Sequence, residues 1–486
     1  MKHAKLRNTI AAAIKTSAIT VSFLLLCAST SAGAAIQRQS SARGAATVDL
    51  LIVGGTIITM DAARRVIDDG AVAIRASRIV AIGPRAEIVS QFTAGQIINA
   101  RGKVVIPGLI NGHTHIPMTL FRGIADDLDL NEWLTKYIFP AEAKNVTEDF
   151  VRAGTRLGLA EMIRGGTTTY CDMYYFEDAI ADETARAGVR GLLGETVIDF
   201  PAPDNKTHAE AMAFVEKFVK KWQGHPLITP AIAPHAVYTV SAEHLTAASA
   251  FATRTGAPIV IHVAESRKEI EDLSKSQGVT TVTYLDRMNF FNNRVVAAHV
   301  IHPSEDEIAI LSRRKVGVAH NPQSNMKIAA GVAPVPQLIA AGVAVGLGTD
   351  GAASNNDLNM WEEMDEAAKL HKVTSGNPRA ISAEQAFAMA TIDGARALHM
   401  EREIGSLETG KRADVVIVGL DALHQTPLYN YYSHLVYATK AADVETVIVD
   451  GKILMRNRRL LTLNENTIKA EARQYRLKVS KSLLQK

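Results

Sequence analysis

Two textures of hydrophobic patterning divide the chain. From Val48 onward, short aliphatic runs punctuated by glycine (DLLIVGGTIITM, GAVAIRASRIVAIG, IINARGKVVIPG) read as strands joined by tight turns. The same texture returns near the C-terminus in RADVVIVGLD and VETVIVDGKIL. Between Pro107 and about His399 the pattern changes. Aliphatic runs (PGLING, GGTTTYCDM, GVRGLLGET, LITPAIAPH, PIVIHVAE, VVAAHV, VGVAHNP, AVGLGTD) alternate with longer helix-like stretches. The runs are apolar on both faces, as in strands covered on both sides, and the alternation predicts βα units on a parallel sheet. Eight such runs predict a closed (β/α)₈ TIM barrel over residues 107–400, an α/β architecture. The flanking β segments, 48–106 and 401–460, are alike in pattern and predict one composite β-sandwich built from both ends of the chain. Residues 461–486 read as a helical tail with a basic surface, and Met360–Lys372 as a solvated amphipathic helix.

Composition narrows the class. A chain of 486 residues with 47% hydrophobic and 21% charged residues is ordinary globular protein, which excludes disordered, collagen-like and coiled-coil classes. The net charge of +3 comes from the N-terminus, where Lys2, Lys5, Arg7 and Lys15 occur without an acid through residue 34. Setting those four aside leaves a net −1, with charges interspersed, so there is no basic footprint for nucleic acid. The basic residues precede an apolar run, Ala18 to Ala28, and then Ala32-Gly33-Ala34, the three-part pattern of a secretory signal peptide over residues 1–34. The run is shorter than the roughly 20 residues that span a bilayer. Cleavage after Ala34 is expected, with a secreted or periplasmic product and no stable membrane span. Cys27 follows Leu26, too bulky for a good lipoprotein cleavage box, so lipidation is disfavoured. The mature chain then keeps only Cys171, which excludes an intramolecular disulfide. Residues 35–47 read as a flexible lead-in.

The chemistry lies where histidines and acids meet strand ends. His113 and His115 are two apart at the end of the first run, and side chains at i and i+2 of a strand point to the same side. His262, His299 and Asp350 each end a different run, on the face where barrel enzymes place their catalysts. Imidazoles plus one carboxylate are the ligand set of Zn²⁺ or a related first-row divalent ion such as Fe²⁺.

The segments PGLINGHTHIPMTLFRGIADDLDLNEWL, VAHNPQSNMKIAAGVAP and GLGTDGAASNNDLN resemble the amidohydrolase superfamily. More narrowly they resemble its 5-methylthioadenosine/S-adenosylhomocysteine deaminase branch, kin of the triazine hydrolases. The resemblance implies that His113, His115, His262 and Asp350 ligate the metal, that Glu265 shuttles protons, and that His299 orients or polarises the attacked centre. It implies a second role for Asp350, as acceptor of the water's proton. Binuclear members use a lysine at the end of the fourth strand; here that strand ends in APHAVYT, so one metal ion is expected. His235 and Tyr238 match a substrate-contacting PHxxY element. Trp133 and Glu142 match positions that stack on the thioether end and bind ribose hydroxyls, and Ser354 a polar contact to the purine.

Arg190 matches the first of two arginines that hold a homocysteine carboxylate in that branch. No arginine follows from Gly191 through Thr253, which tilts the expected substrate towards methylthioadenosine or adenosine. The expected activity is hydrolytic deamination of a purine-like aromatic amine, a small molecule. The alternatives are hydrolysis of another heterocycle (triazine, pterin or cyclic amide) and a binding protein on a catalytically dead barrel. Oligomeric state, including a homo-oligomer, is left open by the sequence.

Overall fold

The eight aliphatic runs all become strands. In the computed structural model, which describes residues 45–484, they are Leu109–Thr114, Thr167–Tyr174, Arg190–Val197, Ile228–Pro234, Ile259–Val263, Val295–His299, Gly317–His320 and Ala344–Leu347. The signal peptide expected over residues 1–34 lies outside the described residues. Each strand pairs in parallel with the next, from first to eighth. The first three strands are buried along their whole length, as strands covered on both faces must be. The ring is brought nearly closed where the first and eighth strands meet, Asp350 N donating to His113 O at 2.9 Å. Gly348 permits that approach: a Cβ there would sit 2.7 Å from His113 N and 2.5 Å from Asn321 Oδ1.

Helices fill the intervals and turn one apolar side onto the strands, as with Ala211, Val215, Phe218 and Val219 of His208–Trp222. Their starts are set locally. Thr147, Thr207, Ser241, Ser266 and Ser304 each cap a helix by accepting a backbone N–H in its first turn. The helix Met360–Ser375 differs from the expected solvated face. Met360, Trp361, Glu363, Met364, Ala367, Ala368 and His371 are buried, because this helix packs on the helix Ala383–Met389 and on the segment carrying the HNPQSN motif.

The two terminal β regions join in one nine-stranded sheet. The join is antiparallel, Lys103–Pro107 against Val415–Gly419, and Leu50, Ile52, Val72 and Ile74 share a core with Val415, Ile417 and Ile448. The tail forms the helix Glu465–Leu484, which buries Ile468 and Val479 and pairs Glu471 with Arg156 and Glu465 with Arg164, each at 3.0 Å. Among the described residues no helix is long and apolar enough to cross a membrane.

Candidate active site

Strand ends bring the predicted metal ligands together. His113 and His115 leave the first strand, His262 lies within the fifth, and Asp350 follows the eighth with φ 61°. One ligand atom from each of His113, His115 and His262 lies within 4.8 Å of the others. Asp350 Oδ1 stands 3.4 Å from His113 Nε2 and 3.3 Å from His115 Nε2, and His115 Nε2 stands 3.3 Å from His262 Nε2. Ligand atoms about 2.0–2.1 Å from a tetrahedral zinc ion are about 3.3–3.4 Å apart, so the spacing fits such an ion. The other ring nitrogens agree. His115 Nδ1 bonds to Met173 O at 2.6 Å and His262 Nδ1 to His235 O at 2.9 Å, which makes Nδ1 the donor and leaves each Nε2 lone pair facing the centre. Burial pushes the His113 imidazole down to about 4, keeping it neutral as a ligand must be. Burial alone would raise Asp350, but the imidazoles hold its carboxyl well below the usual range. The residues fit one divalent ion.

Glu265 and His299 complete the chemistry. His299 ends the sixth strand in a left-handed conformation (φ 73°), with Nδ1 2.9 Å from Asn325 Oδ1 and Nε2 3.6 Å from Glu265 Oε1. Burial pushes the Glu265 carboxyl up to about 7. Its backbone is fixed by Glu269, which accepts from Ala264 N and Glu265 N at 2.9 Å each and from the Thr281 hydroxyl at 2.7 Å.

An inner cavity of about 50 Å³ adjoins the centre, lined among others by His115, Trp133, Glu142, Tyr174 and His235. Trp133 begins a π-helical turn over Trp133–Ile138, and its buried Nε1 has no partner among the described residues. Glu142 accepts from the Tyr174 hydroxyl at 2.8 Å, and burial raises its carboxyl to about 7. The His235 ring lies 4.8 Å from that of His262 and 5.9 Å from that of Tyr238. Ser354 is placed differently from expectation. Its hydroxyl donates to Asp350 Oδ2 at 2.9 Å and is 2.9 Å from Ser324 Oγ, so it is buried behind the carboxylate, away from the cavity.

Arg190 does not join the site. It opens the third strand, at the opposite end of the barrel, where its guanidinium pairs with Asp414 at 3.1 Å and Asp450 at 3.4 Å and donates to Pro226 O. With 5% of its side chain exposed, it fastens the barrel to the nine-stranded sheet. The shortage of arginines after it therefore says nothing about the substrate's tail. Sequence reasoning passed over Ser324, Asn321 and Asn325, which hold Asp350 and His299. The quoted HNPQSN motif contained all three, and their pairing with a named ligand was the missing signal.

The profile of the Amidohydrolase family matches residues 104–454. The chain belongs to the amidohydrolase family. It is accordingly a hydrolase acting on carbon–nitrogen bonds. The chain is 45% identical to a 5-methylthioadenosine/S-adenosylhomocysteine deaminase of Syntrophobacter fumaroxidans, over 88% of this chain and 98% of that protein. It is 44% identical to a 5'-deoxyadenosine deaminase of Methanosarcina acetivorans, over 87% and 97%. Among solved structures it is similar to an adenosine deaminase from Xanthomonas campestris with bound zinc (TM-score 0.89, 38% identity, covering 90% of this chain and 100% of that one). The atrazine chlorohydrolase of Arthrobacter aurescens shares the amidohydrolase fold at 24% identity (TM-score 0.81, covering 88% and 99%).

Proposed function

We propose that this amidohydrolase deaminates adenine nucleosides of the methylthioadenosine, 5'-deoxyadenosine or adenosine kind, with one zinc ion. The observation that carries the reading is the placement of a buried acid, Glu265, against His299 beside the His113–His115–His262 cluster, with Asp350 3.3–3.4 Å from His113 and His115. The names of relatives at 38–45% identity and the zinc in the Xanthomonas structure support the substrate class and the metal.

Those four side chains would hold the zinc ion, which would lower the pKa of a water from about 15.7 to about 7 and so supply hydroxide at neutral pH. The chain's own groups do the rest. Asp350, kept ionised, takes a proton from the attacking water. Glu265, near half-protonated at neutral pH, delivers its proton to the ring nitrogen and recovers one from the hydroxyl that becomes the carbonyl, while the proton held by Asp350 leaves with the departing amine. His299 Nε2, buried and without a hydrogen-bond partner among the described residues, faces the same space and steadies the oxygen that becomes the product carbonyl. Water enters, the carbon–nitrogen bond breaks, and ammonia leaves.

The deciding experiment is ammonia release, with the ultraviolet change from adenine to hypoxanthine, across adenosine, methylthioadenosine, 5'-deoxyadenosine and S-adenosylhomocysteine. Turnover of at least one supports the reading; turnover of none, with activity on a triazine or pterin, overturns it. We further propose that the enzyme works outside the cytoplasm, on the strength of the N-terminal signal pattern. Ala35 as the N-terminus of an extracytoplasmic product supports this, and intact Met1 on cytoplasmic enzyme overturns it.

A further inference from the structure

Glu265 is carried by a strained turn. Val263 ends the fifth strand, and Ala264 after it takes a left-handed conformation, φ 50°, which is unusual for a residue other than glycine. Such a conformation persists only where its surroundings over-determine it. On the carbonyl side, Ala264 O accepts from Ile301 N at 3.0 Å and from His302 N at 3.1 Å, both in the segment after the sixth strand. On the N–H side the turn meets a single side chain. Glu269 Oε1 accepts from Ala264 N and its Oε2 from Glu265 N, each at 2.9 Å.

Helix capping alone does not account for this. Ser266 caps the helix Arg267–Gln277 by accepting from Glu269 N at 3.2 Å, and in a capping box the carboxylate at that third position returns to the N–H of the cap itself. The Glu269 carboxylate reaches past Ser266 to the two residues before it. Glu269 is buried, and the Thr281 hydroxyl, at the start of the next helix, donates to its Oε1 at 2.7 Å. Two adjacent N–H groups need two acceptor atoms on one rigid group, which a carboxylate supplies. An amide would offer one oxygen and set its NH₂ against the second N–H. The side chain aimed by this turn is Glu265, whose Oε1 lies 3.6 Å from His299 Nε2.

We propose that Glu269 is a positioning residue for proton transfer: by holding both N–H groups of the 264–265 turn, it aims the Glu265 carboxyl at the space shared with His299. The proposal rests on the deaminase reading above, in which Glu265 carries the proton. The hydrogen bonds of Glu269 go to the turn, to Ser266 and to Thr281, and to none of the four metal ligands, so it acts through Glu265. A reacting group displaced by about 1 Å loses about 10²-fold in rate, so slack in this turn is felt in kcat.

The test is a double-mutant cycle on the zinc-loaded enzyme with adenosine or methylthioadenosine, whichever the wild type turns over. It compares wild type, Glu269→Gln, Glu265→Gln and the two changes together. Glu269→Gln keeps its zinc and its KM while kcat falls about 10- to 100-fold. Added to Glu265→Gln, the same change lowers kcat by less than about twofold, because the group it aims is already inert. Thr281→Val leaves both N–H bonds in place but loosens the carboxylate; it loses less than Glu269→Gln and, like it, nothing further on the Glu265→Gln background. It carries the cycle if Glu269→Gln does not fold. Undiminished kcat in the variant that folds, loss of zinc along with activity, or a loss that returns in full on the Glu265→Gln background overturns the proposal; the deaminase reading then stands. Full activity in Glu265→Gln, or wild type that turns over no adenine nucleoside, overturns that reading and the proposal with it.

Discussion

The Nε2 atoms of His115 and His262 face one another at 3.3 Å, and each ring is turned that way by an Nδ1–H given to a backbone carbonyl, Met173 O and His235 O. Imidazole lone pairs turned toward each other repel unless a metal ion or a proton lies between them. The Asp350 carboxylate at 3.3 Å from His115 supplies the compensating negative charge. The arrangement is thus built for a metal ion, and its consequences can be measured.

Replacing a ligand should remove metal and activity together. His262→Ala or Asp350→Ala is expected to lose metal content and turnover by more than the 10- to 100-fold typical of outer-partner changes, about 10³-fold. Elemental analysis and kcat on the same preparations check this; a His262→Ala protein with full metal and full turnover would refute the centre.

Ser324 gives a milder test. Its hydroxyl donates to Asp350 Oδ2 at 2.7 Å beside Ser354 at 2.9 Å, so it aims the carboxylate without touching the ion's position. Ser324→Ala is expected to weaken metal affinity about 10- to 100-fold, read by chelator competition. Unaltered affinity would show that Ser354 alone suffices.

Glu265 separates proton transfer from metal binding. Glu265→Gln keeps the hydrogen-bonding shape but has no proton to exchange. It is expected to hold its metal while kcat falls about 10²- to 10⁴-fold. Loss of metal in that variant would make Glu265 a ligand and not a proton carrier.

Arg190 predicts a stability effect. Arg190→Ala leaves Asp414, itself buried, without its partner, a change that costs about 3–5 kcal/mol in denaturant unfolding. The relative KM values for charged and neutral substrates should be unaffected. A selective rise in KM for a carboxylate-bearing substrate would restore Arg190 to substrate binding.

The buried pair His320–His371, Nε2 to Nε2 at 3.1 Å, makes stability depend on pH. Burial pushes His371 from 6.5 down to about 4, so the folded protein keeps it neutral while the unfolded chain binds a proton. Its contribution is whole above pH 6.5 and is lost as pH falls from 6.5 towards about 4, amounting to about 2 kcal/mol by pH 5. Urea unfolding of wild type and His371→Asn at pH 7 and pH 5 checks this: the variant should lose less on acidification. Equal losses would remove His371 as a cause.

Much of this protein was legible one segment at a time. Glycine-punctuated aliphatic runs marked the eight strands because burial on both faces leaves a run no room for polar residues, and strand ends marked His113, His115, His262, His299 and Asp350 because a parallel barrel gathers those ends on one face. Arg190 was readable on the same logic, since it heads its strand and so belongs at the far end. Other features rest on contacts between residues distant in sequence. Arg190 meets Asp414 across 224 positions, and Ser354 turned from a substrate contact into a support once the eighth strand set it behind Asp350. The helix Met360–Ser375 hid its buried face for a similar reason: its pattern showed an apolar side, but only packing decided how much of the helix, Glu363 and His371 included, left water. Period and composition follow from neighbours along the chain. A side chain's partner follows from where the fold brings distant strands and loops.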